Sequence, residues 1–77
     1  MKRYKRIESN PRVMFGKPVI KGTRVTVEII LRKLAAGLSA EEIVQEHPTI
    51  TLEGIREAQI FAADLLAEEE FFFAESA

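Results

Sequence analysis

His47 is the one histidine in a chain that has no cysteine, so nucleophile and metal chemistry have few residues to work with. It stands directly before Pro48, at the end of a short helical pattern. A zinc-type centre takes about four ligands, or three and a water, and no such cluster surrounds this position. Twelve acids are present, spaced along helical faces as solvated charges are. Nucleophilic catalysis needs a base that a third group orients, and no such set can be assembled. Gly16 and Gly22 do not form a phosphate loop, because the strand-loop-helix pattern ending in lysine and serine or threonine is missing. The expectation is a protein that is not an enzyme and uses no metal or cofactor.

What the residue types do allow is binding. Residues 1–33 hold ten of the eleven cations against Glu8 and Glu28, a balance of +8, whereas residues 34–77 hold Arg56 against ten acids, a balance of −9. Lys2, Arg3, Lys5, Arg6, Lys17, Lys21 and Arg24, with Arg12 beside them, are the candidate nucleic-acid contacts, since lysine and arginine neutralise phosphates. In a dimer they could form one basic face. For Arg24 an ion pair with an acid of the last helix is an equal alternative. Near the other end, Glu69, Glu70, Phe71, Phe72 and Phe73 join acids to consecutive aromatics. Aromatic side chains anchor interfaces, and three exposed rings are a liability on a free monomer. These five are the candidate partner-binding residues: the carboxylates would meet cations that otherwise hold RNA, and the rings would fill an apolar groove. Two plainer readings stand beside this. The rings could cover the protein's own core or a dimer mate, and the charge split could be a solvated surface whose ends attract across a dimer.

The elements that position these residues follow from local signals. Gly16-Lys17-Pro18-Val19-Ile20-Lys21-Gly22-Thr23-Arg24-Val25 reads as a short, cation-bearing hairpin. Pro18 suits a strand start, Val19 and Ile20 favour extended backbone, and Lys21-Gly22 can turn. Val19-Ile20 is placed antiparallel to Ile7-Glu8, with a turn at Asn10-Pro11 and apolar cover from Val13-Met14-Phe15.

Three helices follow. The first has Thr26 as N-cap and runs to about Ala36, with Val27, Ile30, Leu31, Leu34 and Leu38 on one face and Gly37 as the left-handed stop. A second opens with Ser39 and Glu42 as a capping box and Leu38 with Ile43 as a hydrophobic staple, and Pro48 closes it. The third has Thr51 as N-cap and Ile50 with Ile55 as its staple. Its buried stripe should be Leu52, Ile55, Ala58, Ala62, Leu65 and Leu66, with Phe61 at the margin. Gly54 reads as room for another backbone or as a neutral accident. In a helix-turn-helix the start of the last helix meets base edges. Here that start offers Thr51, Leu52, Glu53, Gly54, Arg56 and Glu57, and two carboxylates facing a polyanion oppose binding.

Gly16-Lys17-Pro18, then Ile20-Lys21-Gly22-Thr23-Arg24, then Val27, Ile30 and Leu31, resembles the opening of a small bacterial and archaeal group, the domain of unknown function 433 family. Gly37-Leu38-Ser39 with Glu41-Glu42-Ile43, followed by Leu52-Glu53-Gly54-Ile55-Arg56 and Ala58, continues the resemblance. It runs from about Ile7 to Leu66. It implies a helix-turn-helix-like three-helix domain, often an antitoxin beside a PIN-like nuclease. It stops before the acidic-aromatic tail.

Size adds a constraint. Of the 77 residues, about 60 are expected to order, and a domain of that size buries only about 60% of its unfolded surface and is marginal alone. Without cysteines no disulfide can staple it, which leaves oligomerisation or a partner. Hydrophobic content of 47% with 30% charged residues is globular. Apolar runs fall far short of the roughly 20 residues that span a membrane, and no apolar run follows Lys2-Arg3-Tyr4-Lys5-Arg6 as in a signal peptide. A cytoplasmic protein with no membrane contact is expected.

Together these features predict a mainly α fold: a short N-terminal β-hairpin followed by a three-helix helix-turn-helix-like (homeodomain- or winged-helix-like) bundle, paired as a homodimer. Residues 1–6 form a flexible basic arm, 7–67 the domain and 68–77 the tail. The function expected is a non-catalytic antitoxin-like protein that binds and neutralises a PIN-like ribonuclease toxin. A DNA-binding, autoregulatory transcriptional regulator using the basic N-terminal face is the alternative, and an oligomeric scaffold without nucleic-acid contact is the third.

Overall fold

The computed structural model describes residues 4–68. Strands β1 (Ile7–Glu8) and β2 (Val19–Ile20) pair antiparallel, with Ile7 opposite Ile20 and Glu8 opposite Val19. Helices α1 (Val27–Ala35), α2 (Ala40–Glu46) and α3 (Leu52–Leu66) follow. The protein is mainly helical with a small N-terminal hairpin.

Strands of two residues cannot stand alone, and this pair is welded to α1. The Ile20 N–H donates to the Val25 carbonyl and the Val27 N–H to the Pro18 carbonyl, each at 2.9 Å. Gly22, at φ +77°, makes the turn between them, and its N–H donates to the Glu8 carboxylate at 3.0 Å.

Each helix begins at a side-chain cap. Thr26 Oγ1 accepts from the Ile29 N–H, Ser39 Oγ from the Glu42 N–H and Thr51 Oγ1 from the Gly54 N–H, all at 3.1 Å. Glu42 answers Ser39 by accepting from its N–H at 2.9 Å, completing the capping box. A cap of this kind is worth about 1 kcal/mol. Gly37, at φ +103°, lets the chain leave α1.

The core draws Ile7 and Ile20 from the hairpin, Val27 and Ile30 from α1, Ile43 from α2, Ile50 from the connection, and Ile55 with Ala58 from α3. Both expected staples point inward, with Ile43, Ile50 and Ile55 buried and Leu38 packed at the core's edge.

Three expectations are overturned. Phe15 does not cover the core: it is 94% exposed, because Met14 (φ 49°) and Phe15 (φ 57°) both take left-handed backbone and swing the ring outward. Leu52, Leu65 and Leu66 belong to the stripe by spacing, yet they are 46%, 51% and 55% exposed. α3 has 15 residues against nine in α1 and seven in α2. At about 1.5 Å per residue, its last turns outrun the helices that could cover them, and Leu52 sits in the first turn before the core closes. Gly54 admits no second backbone. It packs on the Ile20 side chain, whose Cδ1 lies 3.7 Å from where a Cβ would stand.

Candidate functional site

Of the seven candidate cations, Lys2 and Arg3 lie outside the described residues, as do Glu69, Glu70, Phe71, Phe72 and Phe73. The other five fall into two groups: Lys5, Arg6 and Lys21 line one recess, and Lys17 and Arg24 line another. Lys5, Lys21 and Arg24 are exposed and form no ion pair among the described residues. Arg6 is engaged: its guanidinium meets Glu57 of α3 at 3.3 Å, and its backbone N–H donates to the same carboxylate. The ion pair with an acid of the last helix, weighed for Arg24, is thus made by Arg6. Lys17 pairs with Glu28 at 3.2 Å, and Arg32 reaches the same carboxylate at 3.1 Å. Those contacts, Arg32 first and Lys17 second, hold the Glu28 carboxyl below its ordinary value.

This geometry revises the electrostatics at the start of α3. Glu57 is half-buried and neutralised by Arg6, so it does not face outward as a free carboxylate. Glu53 remains exposed, and its carboxyl is lowered by its own backbone N–H and then by the Thr51 hydroxyl. Beside the start of α3, Lys5, Arg6 and Lys21 line a recess with Thr49, Thr51 and Gly54. The first turn of α3 therefore sits among cations of the hairpin side.

Residues 4–6, expected as part of a flexible arm, run along α3. The Tyr4 hydroxyl donates to Asp64 at 2.6 Å, and its ring meets Phe61 edge-on at 5.1 Å. Asp64 as the acceptor, with some burial, pushes the Tyr4 hydroxyl up to about 12.

A second surface lies at the turn that precedes β2. Ser9 Oγ donates to the Gly16 carbonyl, while the Gly16 and Lys17 N–H groups donate to Val13 and Met14 at 3.1 Å. These bonds fix the left-handed turn that presents Phe15. Left-handed backbone costs about 1–2 kcal/mol for each non-glycine residue, so two together mark a conformation that the surroundings must hold. No sequence signal distinguished a ring held outward here from one packed inward.

A third surface is the groove of about 410 Å³ between α1 and the second half of α3. Val27, Leu31, Phe61, Ala62 and Leu65 form its apolar walls, and Lys17, Glu28 and Arg32 its rim. Helix lengths were the available signal, since a stripe that continues past its covering helices must end in the open.

His47 closes α2. It lines a recess with Arg24, Thr26 and Arg32, and its buried Nε2 has no hydrogen-bond partner among the described residues. No group of three or more histidines, aspartates or glutamates among the described residues is placed to hold a metal ion. None of the described helices is long and apolar enough to cross a membrane.

Hairpin, bundle and exposed surfaces define a small helix-turn-helix-like domain. The chain belongs to the family described as protein of unknown function (DUF433), which residues 7–62 match. It is 39% identical over 56 residues to "Uncharacterized protein y4eO" of Sinorhizobium fredii (strain NBRC 101917 / NGR234), covering 73% of this chain and 25% of that protein. The chain thus spans about a quarter of that relative's length. No solved structure matches it.

Proposed function

We propose that this is a non-catalytic, antitoxin-like protein that acts as a dimer, binding and neutralising a PIN-like ribonuclease. The observation that carries the binding part is Phe15. A large ring on a strained but hydrogen-bonded turn suits an interface anchor, because its position is fixed before the partner arrives. Arg12, Lys17 and Arg24 lie near it in sequence or on the same hairpin and would serve as its polar surround. The ribonuclease as partner is suggested by the family resemblance, and the acidic-aromatic residues Glu69, Glu70, Phe71, Phe72 and Phe73 are proposed as a further contact.

Co-expression with a PIN-like ribonuclease, followed by affinity capture, tests the reading. The nuclease should co-purify and its toxicity should be relieved. Phe15→Asn, which tolerates left-handed backbone, should fold at least as well and weaken capture by tenfold or more, about 1.4 kcal/mol. No complex and no relief of toxicity would reject the proposal.

A second reading rests on the cations around the start of α3. With Glu57 neutralised, Lys5 and Lys21 could contact phosphates while α3 approaches a groove. Salt separates the two: a nucleic-acid complex loses affinity with a slope of about 0.9 per phosphate contact, whereas an aromatic anchor responds weakly.

A further inference from the structure

The last turns of α3 leave two complementary features side by side on one molecule. One is an apolar groove with Leu31 and Phe61 among its walls and Lys17 and Arg32 on its rim. The other is the overhang itself, where Leu66 is 55% exposed and Glu68, just past the helix end, is exposed as well. The rim is positive on balance, because Lys17 and Arg32 share one carboxylate, Glu28. The overhang lacks that charge: no basic residue lies in the last turn of α3, although cations are favourable at a helix C-terminus.

We infer that the groove receives the α3 overhang of a second copy of this chain. Leu66 of each protomer enters the groove of the other and covers Leu31 and Phe61. Arg32 on the rim then stands by the last carbonyls and Glu68 of the facing helix, supplying the cation that its own last turn lacks. Groove and overhang are adjacent on one molecule, so a two-fold axis satisfies both copies at once and closes the assembly at two. A domain of this size, marginal alone, gains a second apolar layer. This goes beyond the nuclease reading by assigning the self-association surface, and it is independent of what Phe15 contacts.

Sedimentation equilibrium of the full chain over a wide concentration range is the test. Wild type should sediment as a dimer. Leu66→Lys and Leu65→Lys should each weaken dimerisation at least tenfold while keeping the helical circular dichroism signal. Leu52→Lys, at the other end of α3, should leave it unchanged. Arg32→Glu and Glu68→Arg should each weaken it roughly twofold to fivefold, as exposed pairs do, and the double variant should recover. A wild-type chain that stays monomeric overturns the inference and leaves the groove to residues 69–77 or to another protein. A dimer indifferent to both Leu65→Lys and Leu66→Lys, or one lost with Leu52→Lys, overturns it too.

Discussion

The two halves of α3 carry the same apolar spacing and meet different fates. In the first half, Ile55 and Ala58 are sealed against Ile20, Ile30 and Ile43. Over the last turns, Leu65 and Leu66 continue the pattern with about half their surface open. Period alone therefore says which way a side chain faces, while the reach of neighbouring elements decides whether anything is there to receive it. The first half holds the fold together; the last turn offers apolar surface, Leu65 and Leu66, that the fold leaves open.

That contrast can be broken by substitution. Ile55→Ala removes a fully buried side chain and should cost about 2–5 kcal/mol, a large share of what a domain this small possesses. Leu66→Ala should cost under about 1 kcal/mol in dilute monomer, where little burial is lost. Chemical denaturation of both variants decides the matter, and equal losses would mean that the halves are not distinct.

Smaller in effect is Gly54→Ala. The added methyl would sit 3.5 Å from Thr51 Oγ1 and 3.7 Å from Ile20 Cδ1, ordinary contact distances. Helix propensity then dominates, and stability should rise by up to about 1 kcal/mol. A loss instead would show that the sealed half is tighter than its geometry suggests.

Tyr4 reports on the overhang, because it bonds Asp64 and touches Phe61. As the one tyrosine in the chain, it can be followed by ultraviolet titration, with a midpoint expected at about 12 instead of 10.0. The sign follows from the neutral hydroxyl being the form that folding favours. Its stabilising contribution is complete below pH 10.0 and is lost as pH rises through about 12. An ordinary midpoint would mean that the Tyr4 contact with α3 does not persist in solution.

Much of this architecture was legible because its signals are local. Thr26, Ser39 and Thr51 cap the helices they were expected to cap, and the pairing of Ile7-Glu8 with Val19-Ile20 followed from turn residues and β-branched runs. Harder to read were features set by relations between distant elements. Phe15 reads as core by type, and only the left-handed turn around it turns the ring to solvent. Leu65 and Leu66 read as core by period, and only the shortness of α1 and α2 uncovers them. Arg6 and Arg24 are alike as letters, yet the hairpin brings Arg6 to Glu57 and leaves Arg24 outside. The charge split that singles out the hairpin's cations is visible in composition, whereas the groove follows from the relative lengths of α1 and α3.

Thermal unfolding at two chain concentrations, roughly a hundredfold apart, tests the division of α3 most directly, since association through the native state makes the midpoint depend on concentration. The expected result is a wild-type midpoint that falls on dilution and a Leu66→Lys midpoint that does not move. A wild-type midpoint unchanged by dilution would contradict it.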